Sequence, residues 1–461
     1  AADGISQGAR MMRGLLIAAT VVVAALAVSW ATINPLAAVG AGYMAKIACS
    51  EIFVAGRDPA TVKSVEFNDI SPVFDHIILR EDTERRTVSA SLYGLGRTRA
   101  IYREGYGCTL MRGGAPSALP PLPPIQEKAL PHAMANSSAA RDDVDYAAID
   151  RAIETAFADD VAATRAILIV KDGAIIAERY ADGFDAETRF LSWSMAKSVT
   201  ASMVGAAVLL GFIDINAPAP VPEWRNDEAR KTITWNDLLQ MQSGLAFDEA
   251  YGDPRSDVSE MLFRSRDAGG VAANQALAHS PGTFWSYSSG TTNLLQRTLR
   301  ETLEANDVNY HAFAHEALFD PIGASSFVLE PDSSGVFIGS SFIYATARDW
   351  AKFGLLHLNG GVYGGMRLLP EGWSDYVAEP APASDDFYGA QFWLNRPGEN
   401  GRPKYIPGAP DEAYLMAGHE GQYVLIAPDK NLIIVRAGMT RGAEPMPIVA
   451  PTFAAIYAAI E

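Results

Sequence analysis

The chain has 461 residues, 49% of them apolar and 20% charged, a composition that suits a globular protein with a sizeable core. Its formal net charge of −17 argues against nucleic-acid binding, because phosphate contacts need clustered Lys and Arg, and no such cluster occurs. The length admits one large domain with an accessory one, or two to three ordinary domains.

Residues 1–13 form a short tail, within which Gly4-Ile5-Ser6-Gln7-Gly8 matches a nucleophile-elbow pattern without the strand and helix that would give it meaning. Arg10 and Arg13 then precede a stretch, Gly14 to Ala45, that carries no charge, and residues 14–33 are almost wholly apolar. Such a run spans a bilayer, and its basic flank sets the tail on the cytoplasmic side. Ser29-Trp30-Ala31 offers small residues for signal cleavage, but the run is long for a signal, which favours an uncleaved anchor. Either reading puts the folded body in the periplasm or another extracytoplasmic space.

The two cysteines, Cys49 and Cys108, both follow the apolar run, and an even pair in an exported chain reads as a disulfide. It would close a loop of about 60 residues and contribute up to ~4 kcal/mol in the chain-entropy model. Residues 46–112 contain alternating stretches such as Thr87 to Tyr93 and read as a small strand-rich module. Residues 113–141 hold Pro116, Pro120, Pro121, Pro123, Pro124 and Pro131, a density that reads as a semi-rigid linker.

Residues 142–461 form the large domain. A helical pattern over 144–157 leads into Ala166 to Val170, a turn at Lys171-Asp172-Gly173, and Ala174 to Ala177, which is a hairpin signal. Near the other end, Tyr423 to Ile426 and Leu432 to Val435 flank a second turn, followed by a helical tail over 448–460. Hairpins at both ends with helical patterns between them predict an α/β (α+β) fold, an antiparallel sheet flanked by helices.

The chemistry centres on Ser194-Met195-Ala196-Lys197. On a helix, residues three apart share a face, so the Lys197 amine can lie beside the Ser194 hydroxyl. A serine becomes a nucleophile when a base takes its proton, and a lysine does so near neutral pH when its pKa falls about three units from ~10.4. Tyr287, in a loop rich in Gly and Ser, is a candidate proton relay whose phenol an adjacent ammonium would make more acidic. Gly418-His419-Glu420-Gly421-Gln422, just before the closing hairpin, lets backbone approach a ligand and aim an N–H at a developing oxyanion. His311 and His315 have metal-ligand spacing but lack the His-Glu-x-x-His pattern, and read as a solvated helix face. There is no phosphate loop or dinucleotide fingerprint, so no metal and no cofactor is expected.

Ser-x-x-Lys, then Tyr-Ser-x about ninety residues later, then a Gly-flanked pair before the last hairpin, is the motif order of the serine β-lactamase and penicillin-binding-protein superfamily. Thr234 to Leu245, Thr346 to Gly354 and Leu369 to Trp373 also resemble family segments, most like those of class C-like esterases and 6-aminohexanoate-dimer hydrolases. The resemblance implies a β-lactamase-like sheet with a helical subdomain. It implies Ser194 as acylated nucleophile, Lys197 as its base and Tyr287 as proton shuttle. The oxyanion hole would come from the backbone N–H groups of Ser194 and Gln422. Tyr251 lies where the nylon-oligomer hydrolases carry a mobile loop tyrosine, and Ser289, His419 and Gly421 fall at substrate-binding positions. Ser289 replaces the Asn of Tyr-x-Asn, and His419-Glu420-Gly421 replaces Lys-Thr-Gly. Both departures lead away from penicillin hydrolysis and toward esters or amides.

The sequence therefore reads as an exported, anchored serine hydrolase acting on a small ester or amide, with its oligomeric state open. A D-Ala peptidase or β-lactamase is the alternative, and a catalytically idle sensor of the same fold is the third reading.

Overall fold

The computed structural model describes residues 2–124, 134–136, 140–398 and 401–461. It opens on one long helix, α1 (Ala2–Phe53), whose two halves have different surroundings. In the first half Leu16, Ile17, Trp30 and Ile33 are exposed, whereas Ala37, Ala41, Met44, Ala45, Ala48 and Cys49 are buried in protein. The segment Trp30–Phe53 is long and apolar enough to cross a membrane, yet most of it is covered by the chain's own strands.

Those strands are β1 (Ile77–Asp82), β2 (Thr87–Leu92), β3 (Leu95–Arg103) and β4 (Gly107–Leu110), an antiparallel meander in that order. Val88, Ala90 and Ala100 turn one face of it onto α1, and the Cys49–Cys108 disulfide links α1 to β4. The module thus takes its core from residues upstream of 46. It is also continuous with the large domain, because the same apolar cluster includes Trp193, Met261, Phe263 and Phe342.

The proline-rich stretch is docked where it is described. Ser117 N–H donates to the Ser333 carbonyl (2.9 Å), and the Tyr106 hydroxyl donates to the Pro120 carbonyl (2.7 Å). Leu119 and Leu122 pack on the main core. Proline removes donors and resists regular structure, but its carbonyls still accept, so such a segment can lie pinned along a surface. Residues 125–133 and 137–139 of the expected linker lie outside the described residues.

The large domain is an α+β sandwich of helices around a sheet. Helix α2 (Tyr146–Ala158) leads into β5 (Thr164–Lys171) and β6 (Ala174–Tyr180), joined through Asp172 and Gly173, both at positive φ as a tight hairpin requires. Later come β7 (Trp393–Leu394), β8 (Tyr414–Gly418), β9 (Gln422–Ala427), β10 (Leu432–Gly438) and a closing helix, Pro445–Ala458. The sheet order is β7-β8-β9-β10-β5-β6, antiparallel throughout, with the short strand Ala135–Asn136 added in parallel at the β6 edge.

Strand periodicity decides what each face meets. Leu168, Val170, Val424, Ile426, Ile433 and Val435 join the core built on Ala196–Leu209 and Ala347–Leu358. Ile167, Ile169, Leu425, Leu432 and Ile434 face α2 and the closing helix. Both faces are covered, which explains why β9 and β10 read as continuous apolar runs.

Candidate active site

The strand Phe190–Leu191 runs into a single 3₁₀ turn, Trp193–Met195, and then into a helix, Ala196–Leu209, buried along most of its length. Trp193 holds φ at 45°, a costly conformation for a bulky residue that only surrounding contacts maintain. Its ring is clamped by Tyr43 of α1, whose centroid lies 6.2 Å away in a stacked arrangement, and its indole N–H donates to Glu420 (3.3 Å). The strained turn presents Ser194 at its tip, 9% exposed.

Lys197 lies on the next turn and is 1% exposed. Its Nζ is 3.0 Å from Ser194 Oγ, 2.9 Å from Ser289 Oγ and 3.1 Å from the Ser340 carbonyl oxygen. Burial brings its pKa down to about 8, against an opposing pull from Glu249. The Ser340 carbonyl is held in place from both sides. Ser340 N–H donates to Asn293 Oδ1 (3.1 Å), and Asn293 Nδ2 donates to Ser340 Oγ (3.0 Å).

Tyr287 lays its ring face toward Lys197, with Nζ 4.7 Å from the ring centroid, and its hydroxyl faces Ser194. The expected acidification does not occur. Burial pushes the phenol well above its ordinary value, aided by Tyr388 and Glu249 and opposed by the Ser194 hydroxyl. Trp393, 5.3 Å away, and Tyr388, 5.9 Å away, complete an aromatic wall with Trp285 and Phe387.

Ser289 opens the helix Ser289–Ala305 and is fully buried. The surprise is its other partner. Glu249 Oε1 is 2.5 Å from Ser289 Oγ, and Glu249 Oε2 accepts the Ser289 backbone N–H at 2.8 Å. Gly290 makes this approach possible, since a Cβ there would meet the Phe247 ring at 2.3 Å. Sequence reading passed over Glu249, which sits in an irregular loop with no periodicity to mark it. The glycine directly after Ser289 was the available signal.

Tyr251, two residues further on, stacks on His419 (5.3 Å, 10°) and meets Trp193 edge-on (6.4 Å). Its hydroxyl is buried and faces the hydroxyls of Ser194, Ser289 and Ser341. His419 leaves an edge in solvent, and packing against these rings lowers its pKa. Gly418 brings β8 onto the Trp193–Met195 turn, where a Cβ would stand 2.2 Å from Ser192 O and 3.2 Å from Ser194 N. Gln422, opposite Gly418 in the β8–β9 pair, spends its carboxamide on Gly438. Gly421 lies over buried Arg436, which donates to its carbonyl at 2.5 Å.

Ser194, Lys197, Tyr251, Tyr287, Ser289 and His419 thus meet around one point. His311 and His315 do not. Contrary to the solvated face expected of them, both are buried, and His311 Nε2 bonds the Gly335 carbonyl (2.8 Å).

The sequence and the fold resemble those of known proteins. The chain is 29% identical over 228 residues to the 6-aminohexanoate-dimer hydrolase of Paenarthrobacter ureafaciens, covering 46% of this chain and 57% of that relative's length. It shares its fold with a candidate 6-aminohexanoate-dimer hydrolase from Bacillus anthracis (TM-score 0.56, 21% identity, 76% of this chain and 87% of that one). A family VIII carboxylesterase is similar at TM-score 0.53 and 16% identity, over 68% of this chain and 97% of that one. The Beta-lactamase family model matches residues 149–459, more than half of the sequence, and the chain belongs to that family.

Proposed function

We propose that the protein is a serine hydrolase that cleaves ester or amide bonds through an acyl-enzyme on Ser194. The observation that carries this reading is a buried lysine with a pKa near 8 placed 3.0 Å from a serine hydroxyl. Lys197 takes the Ser194 proton as Oγ attacks the substrate carbonyl. The backbone N–H groups of Ser194 and Gln422 receive the oxyanion. Tyr287, kept protonated by burial, gives its proton to the leaving oxygen or nitrogen, and the Lys197 proton restores the phenol. Water then attacks the ester on Ser194, with the same pair removing and returning the proton.

Tyr251 supports a role in binding, since its hydroxyl is grouped with those of Ser194 and Ser289 beside the reacting position. The aromatic wall of Trp285, Phe387 and Trp393 favours a flat or aliphatic group beside the reacting carbonyl. Ser289 and His419 stand where a β-lactamase would carry Asn and Lys, and the curated relative acts on the 6-aminohexanoate dimer. Both favour a small linear ester or amide. Residues 14–33 serve as the membrane anchor in this reading, supported by the exposed apolar side chains on that half of α1 and by the extracytoplasmic disulfide.

Hydrolysis of a chromogenic short-chain ester and of 6-aminohexanoate dimer, compared in wild type and Ser194→Ala, tests the assignment. Loss of turnover with loss of the acyl mass adduct is expected; undiminished turnover in the variant removes it. A stable adduct with fluorescent penicillin would shift the reading to a penicillin-type peptidase.

A further inference from the structure

We propose that Glu249 is a positioning residue that, through Ser289, aims the free electron pair of Lys197 at the Ser194 hydroxyl. The proposal rests on the acyl-enzyme reading above and assigns a part to a side chain that touches neither Ser194 nor Lys197 within hydrogen-bond distance.

A neutral lysine amine has two N–H bonds and one electron pair, and Lys197 Nζ has three neighbours, at 2.9, 3.0 and 3.1 Å. The Ser340 oxygen is a carbonyl and can only accept, so it takes one N–H. The other two neighbours are hydroxyls, which can accept or donate. If Ser289 pointed its proton at Nζ, the electron pair would be spent there, and Ser194 would be left accepting the remaining N–H. That arrangement is useless for catalysis.

Glu249 prevents it. A hydroxyl has a single proton, and the Glu249 carboxylate 2.5 Å from Ser289 Oγ claims it. The Ser289 oxygen is then left to accept the second N–H of Lys197. With both N–H bonds committed, the electron pair faces the only remaining neighbour, the Ser194 hydroxyl. Burial pushes the Glu249 pKa up, and the charged form is held against it by Lys197, the Ser289 hydroxyl and the Ser289 N–H, which reaches the second carboxylate oxygen at 2.8 Å at the N-terminus of a 17-residue helix. Tertiary contacts thus fix both ends of the relay, the carboxylate by the start of this helix and the Ser340 carbonyl by Asn293 one turn further along it.

The carboxylate has a second, opposing effect. Its charge favours the ammonium form of Lys197, so it reduces the fraction of free base while giving that base its direction. A side chain that merely braced the loop would have neither effect, and the two have separable signatures. In Glu249→Gln the carboxamide places a donor where the carboxylate had an acceptor.

The test is the pH dependence of the acylation rate, followed as formation of the Ser194 adduct with a chromogenic ester, in wild type, Glu249→Gln, Ser289→Ala and the double variant. Wild type is expected to rise through a limb near pH 8, where Lys197 loses its proton. Glu249→Gln should lower the high-pH plateau about tenfold to a hundredfold while moving the limb to lower pH. The double variant should show no further plateau loss beyond Ser289→Ala, because Glu249 directs the electron pair only through that hydroxyl, while its charge moves the limb and not the plateau. A lowered plateau with an unmoved limb, or additive losses in the double variant, would overturn the proposal. Should Glu249→Gln fail to fold, Ser289→Ala decides alone, since an unchanged plateau there breaks the relay. Absence of any adduct in wild type is a separate failure, of the acyl-enzyme reading itself.

Discussion

Two buried lysines in this protein meet the same residue types in a different order. Lys46, on α1, contacts Glu330 directly, while Ser50 Oγ accepts from Lys46 at 3.0 Å and donates to Glu330 at 2.8 Å. Lys197 reaches Glu249 only through Ser289. Burial lowers the pKa of both lysines. At Lys46 the cluster is closed: the Cys108 N–H also donates to Glu330 (2.6 Å), and the Phe342 ring caps the ammonium at 4.1 Å. At Lys197 one neighbour, Ser194, retains access to solvent. Direct contact between ammonium and carboxylate makes a rivet between α1 and the large domain, and a hydroxyl interposed between them leaves a base that can give up its proton.

The comparison can be broken most forcefully at Lys197. Lys197→Met should lower kcat/KM by about 10²- to 10⁴-fold, with the thermal midpoint nearly unchanged, because the loss is of a general base. Lys46→Met should do the reverse, costing about 3–5 kcal/mol of stability in chemical denaturation by leaving Glu330 buried and unpaired, while the folded fraction keeps its turnover. Pairing that change with Glu330→Leu should recover most of the loss, and a failure to recover would show that the cluster does more than join two elements.

The pH profile sharpens the same contrast at smaller scale. In the proposed mechanism Lys197 acts as free base, and with its pKa at about 8 kcat/KM should rise with pH through that value. The free-base fraction grows about tenfold between pH 7 and 9. A profile flat over that range would exclude Lys197 as the base. Ser50→Ala should have the least effect, about 1 kcal/mol, because the direct Lys46–Glu330 contact survives it. A loss matching that of Lys46→Met would mean that Ser50, rather than the ion pair, holds the cluster together.

What the sequence disclosed follows the distinction between local and tertiary signals. Ser194 and Lys197 were legible because a helical turn alone brings them together, and the hairpins at Asp172-Gly173 and at Pro428 to Asn431 announced themselves by turn chemistry. Cys49 and Cys108 were legible from compartment and number. Glu249 was not, since its partner Ser289 is 40 positions away, with the helices Asp257–Phe263 and Ala268–Ala273 between them. The acidity of Tyr287 was misjudged for a related reason. Proximity to an ammonium was foreseeable, but the burial that outweighs it comes from packing against Trp393 and Tyr388, far along the chain. The proline-rich stretch likewise reads as a spacer until the carbonyls of Ser117 and Pro120 find donors on Arg103 and Tyr106.

Helix α1 has a mechanical consequence. At 1.5 Å per residue its 52 residues reach about 78 Å, and its apolar first half passes into the folded body with no slack between them. Asn34 already accepts the Gly96 N–H at 2.7 Å, immediately after residue 33. A pull on residues 14–33 would therefore reach the folded body along the helix axis, past Pro35, and be taken up at the Cys49–Cys108 bond and the Lys46–Glu330 contact.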